Sequence, residues 1–165
     1  MKTLFLLRHA KSSWKDDTLD DIDRPLKKRG LGDAQLIGKV IRQKEINFDL
    51  VLSSPAERAR QTTQLVSMAS GNQAEIKYDE RIYEAGMRRL LTLISRLDNA
   101  ASTVLLVGHN PGFEELLKTL TGEIHGMPTA ALAGIEFEVD DWALVKARTG
   151  KLTLLLTPKE LRDES

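Results

Sequence analysis

The stretch Leu4-Phe5-Leu6-Leu7-Arg8-His9 decides the fold prediction for this 165-residue chain. A short apolar run bounded by polar residues is typical of a buried strand. In open α/β sheets, ligands bind beyond the carboxyl ends of the strands. Directly past this strand the chain places a guanidinium beside an imidazole, a pair suited to an anion that the arginine holds and the histidine attacks.

Two further apolar runs lead to residues of the same chemistry. Residues 48–52 run into a predicted helix whose first turn carries Arg58, and residues 103–107 are followed by Gly108-His109. Connections in such sheets are short and right-handed, so the three strand ends should open at one edge. The sequence therefore predicts a pocket that contains Arg8, His9, Arg58 and His109.

The rest of the chain alternates apolar runs with amphipathic segments. We expect strands at 3–7, 48–52, 75–78 and 103–107, and helices at 26–43, 54–69, around 90–97 and at 110–120. The first helix is predicted to bury Leu31, Ala34, Ile37 and Ile41. Residues 135–139 predict a strand with one wet face, and 142–148 with 152–156 resembles a hairpin. The predicted class is α/β: a three-layer α/β/α sandwich with a mostly parallel central sheet and antiparallel strands near the C-terminus.

Two of the predicted helices begin with capping residues. Ser54 is predicted to be an N-cap, with Pro55 at the first helical position and Glu57 closing a capping box. Asn110 and Pro111 predict a second N-cap and a second first-position proline. Helix N-termini favour anions, so both starts agree with an anion site at this edge.

Composition limits the class of protein. The length suits one domain, which we assign to residues 1–158, followed by a polar and frayed C-terminal tail at 159–165. The net charge of zero provides no basic field for nucleic acid, and no segment is apolar enough to span a membrane. The absence of cysteine excludes disulfides and thiolate metal sites, and is compatible with a cytoplasmic location.

The residue types in the predicted pocket suit a phosphate group. Arginines form forked hydrogen bonds with phosphoryl oxygens, and a bound anion would offset the unfavourable position of Arg58 in a first helical turn. His9 is a candidate nucleophile and His109 a candidate donor to the phosphoryl oxygens. The alternatives are ordinary hydrogen-bonded histidines and, for Arg58, a solvated side chain or one that neighbours Glu57. Three widely spaced histidines without cysteine argue against a metal site.

Three segments, in order along the chain, resemble the histidine phosphatase superfamily, the RHG group that includes the phosphoglycerate mutases. They are LLRHAKS at 6–12, SSPAERARQT at 53–62 and VGHNP at 107–111. The short chain, Ala10 where the group usually has glycine, and MPTAALA at 127–133 are similar to its SixA-like phosphohistidine phosphatase branch.

This resemblance implies a phosphoglycerate-mutase-like fold and a two-step reaction that uses no metal and no cofactor. It implies that His9 is the nucleophile and forms a phosphohistidine intermediate. It also implies that Arg8, Arg58 and His109 form the phosphate pocket.

The general acid has two candidates. Residues 79–83 resemble the segment that carries the acid glutamate of the mutases, which points to Glu80, with Glu84 as the competing candidate. A carboxyl with a raised pKa protonates a leaving oxygen and later activates water. The alternatives are an ion pair of Glu80 with Arg81, and a reaction with little acid help because imidazole leaves a P–N bond readily. Ser12 is a candidate for a hydrogen bond to the phosphate, or a turn-capping residue.

The sequence therefore predicts an enzyme, a phosphatase that removes phosphate from phosphohistidine on a protein. The alternatives are a phosphatase of small phosphate esters, and a phosphate- or phosphoprotein-binding module without turnover. The expected partner is a phosphorylated protein or a small phosphate ester, with neither nucleic acid nor a membrane. Lys11 and Trp14 are candidates for the entrance of the pocket.

Overall fold

The computed structural model describes residues 1–164, and its strands form one six-stranded sheet. The strands are β1 (Lys2–Arg8), β2 (Leu50–Ser53), β3 (Ile76–Tyr78), β4 (Thr103–Gly108), β5 (Leu132–Phe137) and β6 (Gly150–Leu156). Their order in the sheet is β3-β2-β4-β1-β5-β6. The first four of these are parallel, β5 is antiparallel to β1, and β6 is antiparallel to β5.

Residues 1–164 also contain five α-helices and three short 3₁₀ turns, and all of them except the C-terminal helix lie between strands. The helices are α1 (Lys28–Gln43), α2 (Glu57–Ser70), α3 (Met87–Ser95), α4 (Gly112–Thr121) and α5 (Pro158–Asp163). The 3₁₀ turns are Asp21–Asp23, Glu80–Ile82 and Trp142–Leu144. Among residues 1–164, no helix has the length and apolar character needed to cross a membrane.

Helices cover both faces of the sheet. Successive side chains of a strand point to opposite faces, so one strand contributes side chains to two buried clusters. Leu4 and Leu6 of β1 belong to a buried cluster with side chains of α3 and α4. Phe5 and Leu7 belong to a second cluster with side chains of α1 and α2. Burial on both faces explains why β1 is an unbroken apolar run. The predicted three-layer sandwich, with its mostly parallel sheet and antiparallel C-terminal strands, is confirmed.

The predicted helix caps at Ser54 and Asn110 are wrong. Helix α2 begins at Glu57 after Ala56, and no side chain caps it, so the predicted capping box is absent. The Ser54 hydroxyl instead accepts a hydrogen bond from the Ala56 N–H at 3.2 Å and contacts His109. Helix α4 begins at Gly112, and the Asn110 amide donates to two partners beyond the turn. At Ser54 a tertiary contact with His109 takes the hydroxyl, whereas the Asn110 side-chain oxygen, the atom that a cap would use, has no hydrogen-bond partner in the described residues.

The C-terminal strands pair differently from the predicted hairpin. Strand β6 pairs with β5, while Trp142–Leu144 forms a 3₁₀ turn. Trp142 is completely buried, and its indole N–H donates to the Ala101 carbonyl at 2.7 Å. The predicted alternation at 135–139 is present: Ile135 and Phe137 are buried, Glu136 is partly exposed, and Glu138, just past the end of β5, is exposed. Strand β5 lies between two strands, and core packs against both of its faces.

The C-terminal segment forms a helix where a frayed tail was predicted. Thr157 caps α5 by accepting a hydrogen bond from the Glu160 N–H at 3.3 Å. Leu161 packs against the cluster that contains α1, and Arg162 forms an ion pair with Asp33. These contacts tie the end of the described chain to α1.

Helix α1 approaches the chain after β1 through a glycine. Ala34, Ile37 and Ile41 are buried as predicted, whereas Leu31 is 39% exposed, which contradicts the prediction. The buried stripe includes Gly30 instead. A Cβ at Gly30 would lie 2.1 Å from the Lys11 carbonyl oxygen, so only glycine lets the helix come this close.

Candidate active site

The carboxyl ends of adjacent parallel strands bring the predicted residues together. Strands β1 and β4 are neighbours, and Arg8 pairs in register with Gly108. His9 and His109 therefore leave the sheet at the same level, with their ring centroids 5.2 Å apart. Helix α2 follows β2 at the same edge and carries Arg58 in its first turn.

These side chains line one cavity of about 250 Å³, called the strand-end pocket below. Its lining residues come from β1 and the segment after it, the first turn of α2, the loop before α3, the end of β4 and the loop before β5: Arg8, His9, Lys11, Ser12, Trp14, Arg24, Arg58, Glu84, His109, Asn110 and Thr129.

His9 is held in one tautomer by the backbone. Its Nδ1 lies 2.7 Å from the Ala10 carbonyl oxygen, and a carbonyl only accepts, so Nδ1 carries the proton. The Ala10 N–H in turn donates to the Thr62 hydroxyl at 2.9 Å, which anchors this turn to α2. Burial, together with the charges of the nearby arginines, lowers the pKa of His9 to about 4, although the Ala10 bond opposes this. At neutral pH the ring is therefore uncharged and Nε2 has a free lone pair.

His109 forms the opposite wall of the pocket. Its Nε2 lies 2.7 Å from the Ser54 hydroxyl oxygen. Burial, together with the charges of His9 and Arg58, lowers the pKa of His109 to about 3. Its Nδ1 is buried and has no hydrogen-bond partner in the described protein.

The two predicted arginines are only partly satisfied by the protein. Arg8 donates from Nη1 to the Met127 carbonyl at 3.0 Å, and Arg58 donates from both terminal nitrogens to Asp21. The Nε atoms of both arginines are buried and have no hydrogen-bond partner among residues 1–164. Unpaired buried polar groups cost about 1–3 kcal/mol each, so their clustering indicates that a ligand supplies the partners.

All four buried side-chain nitrogens and oxygens without a partner in the described residues belong to the strand-end pocket. Three are nitrogens, on Arg8, Arg58 and His109, and the fourth is the Asn110 side-chain oxygen. Two of the nitrogens are guanidinium donors, which favours an anion with several oxygens over a cation.

The sequence prediction missed Arg24 and Asp21. Arg24 lines the pocket, donates to Ser12 Oγ at 2.9 Å and to Asp21 Oδ1 at 3.1 Å, and lies 3.5 Å from the centroid of the Trp14 ring. Both lie in the irregular segment between β1 and α1, where no periodicity places a side chain. The one available signal was that an arginine and several aspartates precede Pro25.

Ser12 lies at the pocket, but its hydroxyl is already engaged. It is buried and accepts the hydrogen bond from Arg24. The hydroxyl therefore helps to place Arg24, and it retains its own proton for a further acceptor.

The two glutamate candidates occupy different positions. Glu80 is exposed in its 3₁₀ turn and is not among the described residues that line the pocket. The proposed pair of Glu80 with Arg81 does not form, because Arg81 pairs with Asp79 at 2.6 Å. Glu84 is exposed and lines the pocket, with a backbone φ of 50°. Strained φ values of this kind are concentrated at functional sites.

His125 lies outside the pocket and pairs with Glu123 at 3.2 Å. In the part of the chain that the structure describes, no three His, Cys, Asp or Glu side chains are grouped to hold a metal ion. The expectation of a metal-free reaction stays a prediction.

Comparisons with known proteins identify the family. The model of the histidine phosphatase superfamily (branch 1) matches residues 4–92. An uncharacterised chloroplastic protein of Arabidopsis thaliana is 32% identical over 170 residues, which cover 95% of this chain and 78% of that protein. An uncharacterised protein of Mycobacterium tuberculosis is 40% identical over 105 residues, 64% of this chain and 63% of that protein.

A solved structure gives the same result. The structure of a SixA protein from Agrobacterium tumefaciens, named as a candidate phosphohistidine phosphatase, matches with a TM-score of 0.84 and 33% identity. The match covers 95% of this chain and 99% of that one. Sequence motifs, fold and family match agree, and the chain belongs to the histidine phosphatase superfamily, branch 1.

Proposed function

We propose that this protein is a phosphatase that works through a phosphohistidine intermediate on His9. The observation that carries this proposal is the state of His9: its Nδ1 is held by the Ala10 carbonyl, which leaves Nε2 neutral and free beside unpaired guanidinium nitrogens. A neutral imidazole nitrogen is a nucleophile, and oriented donors stabilise the charge on a phosphoryl group in transfer.

The reaction has two displacement steps. In the first, the His9 Nε2 lone pair forms the N–P bond while the bond from phosphorus to the leaving atom breaks, and that atom takes the electron pair and a proton from water or from the Glu84 carboxyl. In the second, water attacks phosphorus and gives up a proton to solvent or to the same carboxylate, the N–P bond breaks, and Nε2 recovers its lone pair. Arg8, Arg58 and His109 donate to the phosphoryl oxygens in both steps.

The preferred substrate is a phosphohistidine side chain on a protein. The similar SixA protein is named as a candidate phosphohistidine phosphatase, and it matches nearly the whole of this chain. Trp14 and Lys11 are exposed at the pocket, which suits a substrate that extends beyond the cavity. A reducing compartment such as the cytoplasm is proposed with this function, since the chain has no cysteine.

The second candidate is a phosphatase of small phosphate esters. One observation favours it: Glu84 lines the pocket, and a carboxyl there is suited to protonate an alkoxide leaving group. Glu80 remains a prediction from the resemblance, since it lies outside the lining. A phosphohistidine substrate needs less acid help because imidazole is the better leaving group.

The proposed function is tested by His9→Ala, with His125→Ala as the matched control. We expect His9→Ala to lower turnover of a phosphohistidine peptide by about 10³-fold or more, as loss of a nucleophile does, and the control to keep wild-type rates. Labelled phosphate should be trapped on His9 in an acid-labile form.

Two results would contradict the proposal. If His9→Ala turned over substrate at the wild-type rate, His9 would not be the nucleophile. If the wild type bound the phosphopeptide without any turnover, the protein would be a binding module. A wild type that turns over sugar phosphates much faster than phosphohistidine peptide would favour the ester phosphatase.

A further inference from the structure

Asp21 accepts hydrogen bonds from three side chains around the strand-end pocket. Its Oδ1 accepts from Arg24 Nε at 3.1 Å, and its Oδ2 accepts from Arg58 Nη2 at 3.0 Å and from the Tyr83 hydroxyl at 2.5 Å. Its backbone carbonyl accepts from Arg58 Nη1 at 2.8 Å. One residue therefore holds both terminal nitrogens of Arg58.

Asp21 holds these side chains from outside the cavity. Arg24 and Arg58 line the pocket, whereas Asp21 is not among the described residues that line it. A carboxylate that competed with phosphate would have to lie in the cavity. The position of Asp21 fits a support for the arginines, not a competitor for their ligand.

The Asp21 carboxylate also offsets the repulsion between two buried guanidiniums. Arg24 and Arg58 are buried cations that converge on one pocket, and each occupies a different oxygen of Asp21. Burial opposes ionisation of Asp21, but the hydrogen bonds from Tyr83 and Arg58 outweigh it and lower its pKa to about 2. Asp21 is therefore charged at any working pH and screens the two guanidiniums from each other.

Tyr83 extends this network to His109. The Tyr83 ring packs edge-on against the His109 imidazole, with the centroids 5.5 Å apart. Burial, then the hydrogen bond to Asp21, raises the pKa of Tyr83 to about 12, so the hydroxyl keeps the proton that it donates. Asp21 thus contacts two pocket arginines directly and one pocket histidine through a tyrosine.

We propose that Asp21 is a positioning residue for phosphoryl transfer, which fixes Arg58 and Arg24 and, through Tyr83, the ring of His109. It does not touch the substrate. The inference rests on the proposed function, because the reaction that these side chains serve is the one on His9. Holding a donor within a fraction of an ångström of its productive place is what such a residue contributes.

The test is Asp21→Asn, with Asp20→Asn as a control that removes the same charge from an exposed neighbour. Asparagine keeps the shape but turns an amide nitrogen or a neutral oxygen toward each guanidinium. We expect kcat to fall about 10- to 100-fold, the cost of a misplacement of about 1 Å, while KM changes by less than about threefold. Asp20→Asn should keep both constants.

A second variant separates positioning from simple loss of stability. Tyr83→Phe keeps the ring against His109 and removes the hydroxyl that donates to Asp21. We expect kcat of Tyr83→Phe to fall, and the double variant with Asp21→Asn to be less impaired than the product of the two single effects, because both act on one contact. Multiplicative effects would overturn the inference.

The Arg58 Nε–Hε resonance gives a readout that does not need turnover. In the wild type it should be a single sharp signal, and Asp21→Asn, but not Asp20→Asn, should broaden it. An unchanged signal with unchanged kcat, or unchanged kcat with tighter binding of inorganic phosphate, would overturn the inference. A wild type without turnover whose signal still depends on Asp21 would refute the proposed function alone.

Discussion

Lowering the pH from 7.5 to 5.0 is expected to destabilise the folded protein through its two pocket histidines. Burial lowers the pKa of His9 to about 4 and that of His109 to about 3, below the ordinary value of 6.5. The unfolded chain therefore binds more protons than the folded one below pH 6.5, and stability falls as the pH falls. The stability that depends on these two histidines being uncharged is fully present above pH 6.5. It is lost progressively as the pH falls from 6.5 to the pKa of the folded state.

The size of the effect follows from the same linkage. A histidine with a pKa of 6.5 in the unfolded chain and about 4 in the folded one loses about 2 kcal/mol by pH 5.0, out of about 3 kcal/mol in all. His109 contributes about 2 kcal/mol more over the same range. Together these losses are a large fraction of the stability of an ordinary domain, about 5–15 kcal/mol.

Urea unfolding at the two pH values in phosphate-free buffer measures this directly. His9→Asn keeps a donor near the Ala10 carbonyl and removes the titrating ring, so its loss of unfolding free energy should be about 2 kcal/mol smaller than that of the wild type. His125→Asn, outside the pocket, serves as the control and should follow the wild type. Equal losses in the wild type and His9→Asn would refute the assigned pKa and its origin in burial.

Two further predictions concern the acid and the approach of α1. Glu84→Gln should lower turnover of an alkyl phosphate by about 10²-fold and that of a phosphohistidine peptide much less, with Glu80→Gln near wild type in both rate assays; the reverse ranking of the two glutamates would contradict the role of Glu84. Gly30→Ala should destabilise the fold by about 1–3 kcal/mol in urea unfolding, because its Cβ would meet the Lys11 carbonyl oxygen at 2.1 Å. Gly32→Ala, on the same helix with open space around its Cβ, should be stabilising by about 0.5–1 kcal/mol, and equal effects at the two glycines would refute the packing argument.

Much of the fold was predictable because buried parallel strands have a strong local pattern. Strands β1 and β4 are unbroken apolar runs since helices cover both of their faces, and each ends where a functional residue begins. The predicted meeting of Arg8, His9 and His109 at one pocket follows from that pattern and from parallel pairing.

Two of the errors share one physical cause, which is a hydrogen-bond partner that is distant in sequence. Ser54 has the local chemistry of an N-cap, but its hydroxyl contacts His109, which follows β4 and lies 55 positions away in sequence. Residues 142–148 were predicted to form one arm of a hairpin with 152–156, but the Trp142 indole donates to a buried carbonyl, and β6 pairs with β5 instead. Local propensity depends only on neighbouring residues, so it takes no account of a hydrogen-bond partner that is distant in sequence.

By itself, the sequence determined the family, the order of strands and helices as far as α4, and the two histidines and two arginines that meet at the sheet edge. Only the tertiary structure decided which nitrogen of His9 is free, that Arg24 joins the pocket, and that Asp21 supports two of its arginines. The reason is that protonation, burial and hydrogen bonding depend on groups brought together from distant parts of the chain. Strand formation is instead determined by a few consecutive side chains.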